Sequence, residues 1–452
     1  MKKWKKWVIG ILGTMVGAVL ILGALFWTQI GIIKGTEELS GKMEVIPTPV
    51  SQPLEPLTKG DTDWVSWQGA KGDNRSSVTG IIKDWSGGLE KLWEVDFLCQ
   101  GSSSATWSAP VIQGNRLVVS GRNTESDLIF CLNPVNGGLL WHKTYQTKAT
   151  GNHGRGPRAT PAIDEDRVYT FGRSGDLASW ALFDGKERWR TNVTDEAGKE
   201  PTWGFSSSPL VLGTRVLVQA GGTARTIAYD KITGKVAWKS GSGSAGYAAL
   251  TRMDIAGKSM VLAFHGKGLA ALDPESGEEA WNVPWKTNYD VNASTPITSG
   301  DSIFVTSGYG TGGMLLKAGA SGAEILWQSK AIAAQHSDPY IIDGVLYGYS
   351  GDSFQNKGAF KSVSLADGTE KWATNKMGWG TCTYVDGHLL CIDIKGNLFL
   401  MRPDPDRFVE VARIRKALGD IKGPVWTKPV IANGLLYLRF RQRLVCYRLV
   451  GK

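Results

Sequence analysis

Histidine and cysteine are scarce in this chain, five of each among 452 residues. That scarcity removes whole classes of chemistry. His142, His153, His265, His336 and His388 show no metal-ligand spacing, whereas a structural or catalytic zinc site needs clustered ligands. There is no C-x-x-C-H haem attachment, no H-E-x-x-H pair, no G-x-S-x-G elbow and no EF-hand loop. One G-x-G-x-x-G string exists at Gly308–Gly313, but it joins two short strand-like runs where a dinucleotide site requires strand, turn and then helix. No catalytic residue is assigned, and no metal ligand. The net charge of +9 includes Lys2, Lys3, Lys5 and Lys6, which leaves +5 for the rest. That is too little for a nucleic-acid partner.

What the chain has in abundance is glycine (57) and tryptophan (19). Seven tryptophans, Trp93, Trp141, Trp189, Trp238, Trp281, Trp327 and Trp372, recur at spacings of 43 to 49 residues, with a degraded eighth copy around Val409–Val411. That period is one four-stranded propeller blade. Inner strands begin near Pro110, Pro161, Pro209, Ala249, Pro296, Pro339, Thr383 and Pro429. Proline at the start of a strand costs no ladder bond. The tryptophan strands are also eight, but out of phase by one. Leu92–Val95 precedes the first inner strand, and the last copy ends without its own tryptophan strand. The spacing therefore predicts an all-β, eight-bladed propeller whose last blade is completed by the N-terminal strand, leaving no open edge. The repeated tryptophan is read as packing between blades.

Residues 1–33 are different in kind. A lysine-rich tip precedes an apolar run from Trp7 to Ile33, long enough to span a bilayer as one helix. The lysines predict a cytoplasmic N-terminus. No small-residue cleavage pattern follows, and no cysteine is near enough for lipid attachment. The expectation is a single-pass anchor in a bacterial inner membrane, a Pro-rich linker over 34–60, and a propeller over 61–452 in the periplasm.

The cysteines also carry expectations. Cys382 and Cys391 flank an Asp386-Gly387 turn and should face each other at a non-hydrogen-bonded site, within reach of a disulfide; two small buried side chains are the competing reading. Cys131 and Cys446 are core, and Cys99, in a loop, is a free thiol.

Blade geometry sorts the loops onto two faces. Turns between first and second strands, and between third and fourth, are led by acids such as Asp164, Asp230, Asp273 and Asp367, many of them ordinary turn formers. The other face gathers Arg122, Arg155, Arg158, Arg173 and Arg225 with Trp107, Trp203, His265, Tyr309, His336, Trp379 and Trp426. Trp107, Arg158, His336 and Trp426 each sit three residues before an inner-strand proline and should ring the channel mouth. A basic, aromatic funnel suits an anionic small molecule or an acidic, aromatic-rich protein segment.

Three segments, Leu132–Trp141, Tyr229–Trp238 and Leu272–Trp281, resemble the pyrroloquinoline-quinone-like repeat, L-D-x-x-T-G-x-x-x-W, and Trp64–Gly69 is similar to the W-x-x-W/F-x-G opening of bacterial propellers in that family. The resemblance covers about 61–450 and implies the propeller fold. For function it implies one of two things. The first is a BamB-like, non-enzymatic scaffold in outer-membrane protein assembly. The second is a quinone-dependent alcohol or sugar dehydrogenase, with pyrroloquinoline quinone and Ca²⁺ on the axis, an adjacent Cys-Cys pair and acidic ligands. The chain lacks adjacent cysteines, and only Asp290, Asp338 and Asp352 fall on the funnel side. The reading adopted is therefore a scaffold without cofactor, with the dehydrogenase as alternative and a glycan-binding propeller, using Trp107, Trp379 and Trp426, as a third.

Overall fold

The computed structural model describes residues 45–50, 53–101, 103–148, 151, 153–352 and 357–451. The expected membrane span, Trp7 to Ile33, lies outside the described residues. Among those described, no helix is long and apolar enough to cross a membrane.

Eight four-stranded antiparallel sheets follow one another around an axis. Blade one comprises Val111–Gln113, Arg116–Arg122, Ser126–Leu132 and Leu139–Gln146, and each later blade repeats that order from the axis outward. The eighth is shared between the chain's two ends. Lys91–Val95 pairs antiparallel with Arg443–Arg448, bringing Trp93 opposite Cys446 and Lys91 opposite Tyr447. The phase offset in the repeat is this closure.

The consensus repeat has a physical reading. In Tyr229–Trp238, the Asp230 carboxylate accepts from the amides of Ile232 (3.1 Å) and Thr233 (2.8 Å) and from the Thr233 hydroxyl (2.8 Å). Those bonds fix the turn between third and fourth strands and hold the carboxyl below its usual pKa. The turn then becomes the acceptor for the previous blade. Trp93, Trp141, Trp189, Trp238, Trp281, Trp327 and Trp372 donate their indole N–H to carbonyls of Pro134, Leu182, Lys231, Pro274, Gly319, Leu365 and Asp404 respectively, all at 2.9–3.1 Å. Each bond crosses from one blade to the next. Apolar clusters fill the same gaps, for example Tyr169 and Phe171 against Val216, Val218 and Tyr229. Where the eighth tryptophan is missing, Trp85 stands beside Val411 and Ala412 and is buried with Leu449.

The glycine of the motif is required twice over. Gly277 has φ +74°, and a Cβ there would come within 2.4 Å of the Trp238 ring. Gly257, with φ +78°, has nothing within 4 Å of a Cβ. Gly257→Ala is therefore expected to cost about 1 kcal/mol, the backbone penalty alone, and Gly277→Ala roughly 2–3 kcal/mol more because the indole must move. Denaturant melts of the two variants measure the difference.

The composition of the stretch ahead of the repeats predicts a linker. Its described part is extended and pinned to the propeller. Thr58 and Asn115 exchange hydrogen bonds at 3.0 and 3.3 Å, Arg116 donates to the Glu55 carbonyl at 2.6 Å, and Leu54 and Leu57 pack on blade one. Thr62 meets Asn433 of blade eight. Asn115 and Asn433 both lie in turns between first and second strands, so the chain arrives on that face.

Candidate functional site

From that face, residues 64–76 turn inward and close one end of the central channel. Trp64 and Ile112 exchange backbone bonds at 2.8 and 3.0 Å, and Val65 accepts from Ile163 at 2.8 Å. The Trp67 indole donates to Thr295 (2.9 Å), Thr251 donates to Gln68 (3.4 Å), and Arg75 donates to the Ile341 carbonyl (2.6 Å). Arg75–Ser76 then adds a short parallel strand to the inner edge of blade seven, and the Ser76 hydroxyl reaches Ile431 of blade eight. Seven of the eight blades hold this plug. Under it lies a buried ion pair, Lys428 with Asp338 at 3.1 Å. Asn74 accepts from the same ammonium, which sits 3.7 Å from the Trp67 ring centroid. A buried pair of this kind costs desolvation and is worth keeping only when fully hydrogen-bonded; here amide, carboxylate and indole face share the cation.

The channel is thus a cup, closed below and open on the face of the blade crossings. Its cavity is about 150 Å³. Trp67 borders it at the plug end, and Trp107, Trp203, Trp426, Tyr247 and Tyr309 line it with His153, His336, Gln335 and Arg158. Trp107 meets Trp426 at a tilt with ring centroids 4.4 Å apart, His336 stacks on Trp426 at 5.0 Å, and His153 tilts against Trp203 at 5.5 Å. Trp107, Arg158, His336 and Trp426, each three residues before an inner-strand proline, meet here, and so do Ser206 and Ala293 at the same offset from Pro209 and Pro296.

Arg158 is the lone arginine or lysine among the lining residues. Its guanidinium donates to the carbonyls of Trp203 and His153. Arg173 donates to the same Trp203 carbonyl from behind and is 1% exposed. Burial, reinforced by the neighbouring guanidinium charges, pushes His153 down to about 4 and His336 down to about 3. Both imidazoles are neutral at pH 7. Unfolding returns them to their ordinary value near 6.5, so the unfolded chain binds more protons below that pH. Stability should fall as pH drops from about 6.5 toward 4. His336→Gln should lose less of its melting temperature than the parent over that window, as thermal melts at pH 7 and pH 4.5 would read.

Of the other arginines, Arg122, Arg173 and Arg225 are buried and Arg155 is half-buried. Arg122 forms a buried 2.6 Å pair with Asp127, whose carboxyl is pushed up to about 7 by burial against the pull of Arg122. Arg225 is paired with Glu279 and His265 with Asn282. The Arg155 amide donates to Ser103 at 2.7 Å, and its side chain is half-buried away from the cavity. Trp379 is wholly buried behind His336, 6.1 Å from it. Arg122, Arg173 and Arg225 are spent between blades, on carboxylates and carbonyls; what lines the cup beside Arg158 is largely aromatic. Trp67 and the plug were not anticipated. Their one sequence signal was a Trp-rich opening outside the repeat period.

A family model described as outer membrane protein assembly factor BamB matches residues 125–374, more than half of the chain. The chain belongs to the BamB propeller family. Among solved structures it is similar to BamB from Moraxella catarrhalis (TM-score 0.55, 14% identity, 76% of this chain and 94% of that one). It is similar also to quinohemoprotein alcohol dehydrogenase from Comamonas testosteroni (TM-score 0.63, 13% identity, 86% and 81%). The computationally designed Ika8 protein shares the architecture as well (TM-score 0.57, 12% identity, 80% and 100%). At such identities these likenesses speak for the fold. No curated protein sequence matches the chain.

For this BamB-family cup, the pairing of quinone and Ca²⁺ can be tested against the donor set. Ca²⁺ takes six to eight oxygens, carboxylates among them. No Asp or Glu lines the cavity, and among the described residues no three acidic, histidine or cysteine side chains converge. Asp338 is committed to Lys428 and the Thr295 amide, and Asp290 to Lys267. The cavity is also smaller than the roughly 300–1,000 Å³ usual for cofactor sites. These residues do not fit the pair.

Proposed function

We propose that this chain is a membrane-tethered, extracytoplasmic scaffold that captures an acidic, aromatic-bearing segment of a protein partner in its cup, in the service of envelope protein assembly. One observation carries the reading. The cup is one-ended and aromatic, with no carboxylate and a single arginine among its lining residues. Such a surface binds by burying ring area, and Arg158 favours acids beside the inserted group. A segment that enters cannot thread through, because residues 64–76 stop it.

Orientation follows from the tether. The lysine-tipped apolar run Trp7–Ile33 supports the membrane anchor, and the chain reaches the propeller on the face of Asn115 and Asn433. The cup opens on the opposite face, away from the bilayer and toward a partner in the periplasmic space.

The test is direct. Acidic pentapeptides with a central aromatic should bind the purified protein by titration calorimetry, and pyrroloquinoline quinone with Ca²⁺ should give no new absorbance. Quinone absorbance together with alcohol-dependent dye reduction would replace the scaffold with the dehydrogenase.

A further inference from the structure

The wall of the cup contains an unanswered acceptor. Gln335 is 1% exposed and borders the cavity; its Oε1 is turned into the wall, closed to water, and has no hydrogen-bond partner. Beside it, Nδ1 of the neutral His336 also lacks one. A buried polar atom left unpaired costs roughly 1–3 kcal/mol, and native proteins keep few of them. Trp426 stacks on His336 at 5.0 Å and Trp379 meets it edge to face at 6.1 Å. Above them Tyr309, half exposed, meets the more exposed Tyr289 edge to face at 6.2 Å. Both tyrosines hold left-handed backbone, φ +55° and +61°, a strain that tends to collect at binding sites.

Resting on the peptide-binding reading above, the geometry points to a particular anchor: the cup takes a tyrosine or tryptophan side chain, whose O–H or N–H donates to Gln335 Oε1 once the unpaired carboxamide turns toward the cavity, from a segment whose flanking acids face Arg158. Phenylalanine would fill the same ring space and leave the acceptor unpaired. A lysine anchor would meet Arg158 with like charge. A donor-bearing aromatic answers the ring faces and the acceptor together.

The probe is a set of blocked pentapeptides, Asp-Asp-X-Asp-Asp, with X as Tyr, Trp, Phe or Ala. With the parent protein, Tyr and Trp peptides should bind about tenfold tighter than Phe, one hydrogen bond's worth, and Ala should be weakest. Gln335→Met should bring the Tyr/Phe ratio toward one. Equal affinity for Tyr and Phe in the parent would overturn the anchor while leaving peptide capture standing. Absence of binding by every acidic peptide would overturn both.

A separate observation assigns a modification site. Cys382 and Cys391 are directly opposed in the hairpin of Gly380–Val385 and His388–Asp393, and both are buried free thiols. The fourth pair out from the Asp386-Gly387 turn is a non-hydrogen-bonded position, with Cα atoms typically about 4.5 Å apart, inside the range a disulfide spans. We infer that the two join when the chain folds in the presence of a disulfide oxidant. One thiolate attacks oxidised glutathione and expels glutathione thiol. The second cysteine then displaces the attached glutathione, so two cysteines are oxidised and one glutathione disulfide is reduced to two thiols. Burial shields the folded hairpin, so the bond forms before neighbouring blades cover it. Refolding in a glutathione redox buffer, followed by alkylation and peptide mass analysis, should show a 382–391 link that is absent in Cys382→Ser. Full alkylation of both cysteines after such refolding would refute it.

Discussion

Trp93→Ala should lower the free energy of unfolding by about 3–5 kcal/mol, the usual cost of deleting a buried indole, and should do so by opening the ring. Trp93 is 8% exposed, bonds the Pro134 carbonyl across the blade boundary, and packs on Tyr437 at 6.0 Å. Its strand completes the sheet that joins the two ends of the propeller chain. Ion pairs also cross this seam, Arg443 with Glu94 at 3.1 Å and Arg448 with Glu90 at 2.7 Å. Partly exposed pairs of that kind are worth at most about 1 kcal/mol, so the apolar term decides. Denaturant melts, with Trp372→Ala as a half-buried comparison within one continuous blade, measure it. A smaller loss for Trp93 than for Trp372 would contradict the closure argument.

The second large effect is on binding. Trp426→Ala should weaken capture of the acidic tyrosyl peptide by about 30-fold or more, the scale of a central aromatic anchor site. Trp426 is the hub of the cup, with Trp107 at 4.4 Å, His336 at 5.0 Å and His153 at 6.1 Å. Arg158 is a poorer site for this test. Its guanidinium is bonded to the Trp203 and His153 carbonyls, so charge reversal would disturb the walls as well as the ligand. Arg173 is more deeply buried still. Calorimetry of Trp426→Ala beside a thermal melt separates lost contact from lost fold.

Much of the fold was legible because the repeat encodes its own physics. Asp230, Thr233 and Gly234 shape a turn, and Trp189 of the preceding blade bonds the Lys231 carbonyl within it. The missing eighth tryptophan pointed to closure by Trp93. The cup was legible in part. Position relative to an inner-strand proline located Trp107, Arg158, His336 and Trp426 on its wall, since that spacing fixes how far a side chain stands from the axis. Sorting by face alone did less well for Arg122, Arg173 and Arg225. Loops that cross between blades leave carbonyls and carboxylates to be satisfied, and those arginines turn sideways to meet them. Trp67 was invisible for a simpler reason. It belongs to a segment outside the period, and only its bonds to Thr295 and its neighbours reveal that it crosses the axis.

The most direct measurement places the partner on one face. Tyr309, at the rim, and Asp301, in the turn at the other end of the same blade, are each replaced by the photo-crosslinker p-benzoylphenylalanine and irradiated with the acidic tyrosyl peptide. The account predicts an adduct from position 309, competed away by unlabelled peptide, and none from 301. An adduct from 301 with none from 309 would put the binding surface on the tethered face and remove the cup from the function.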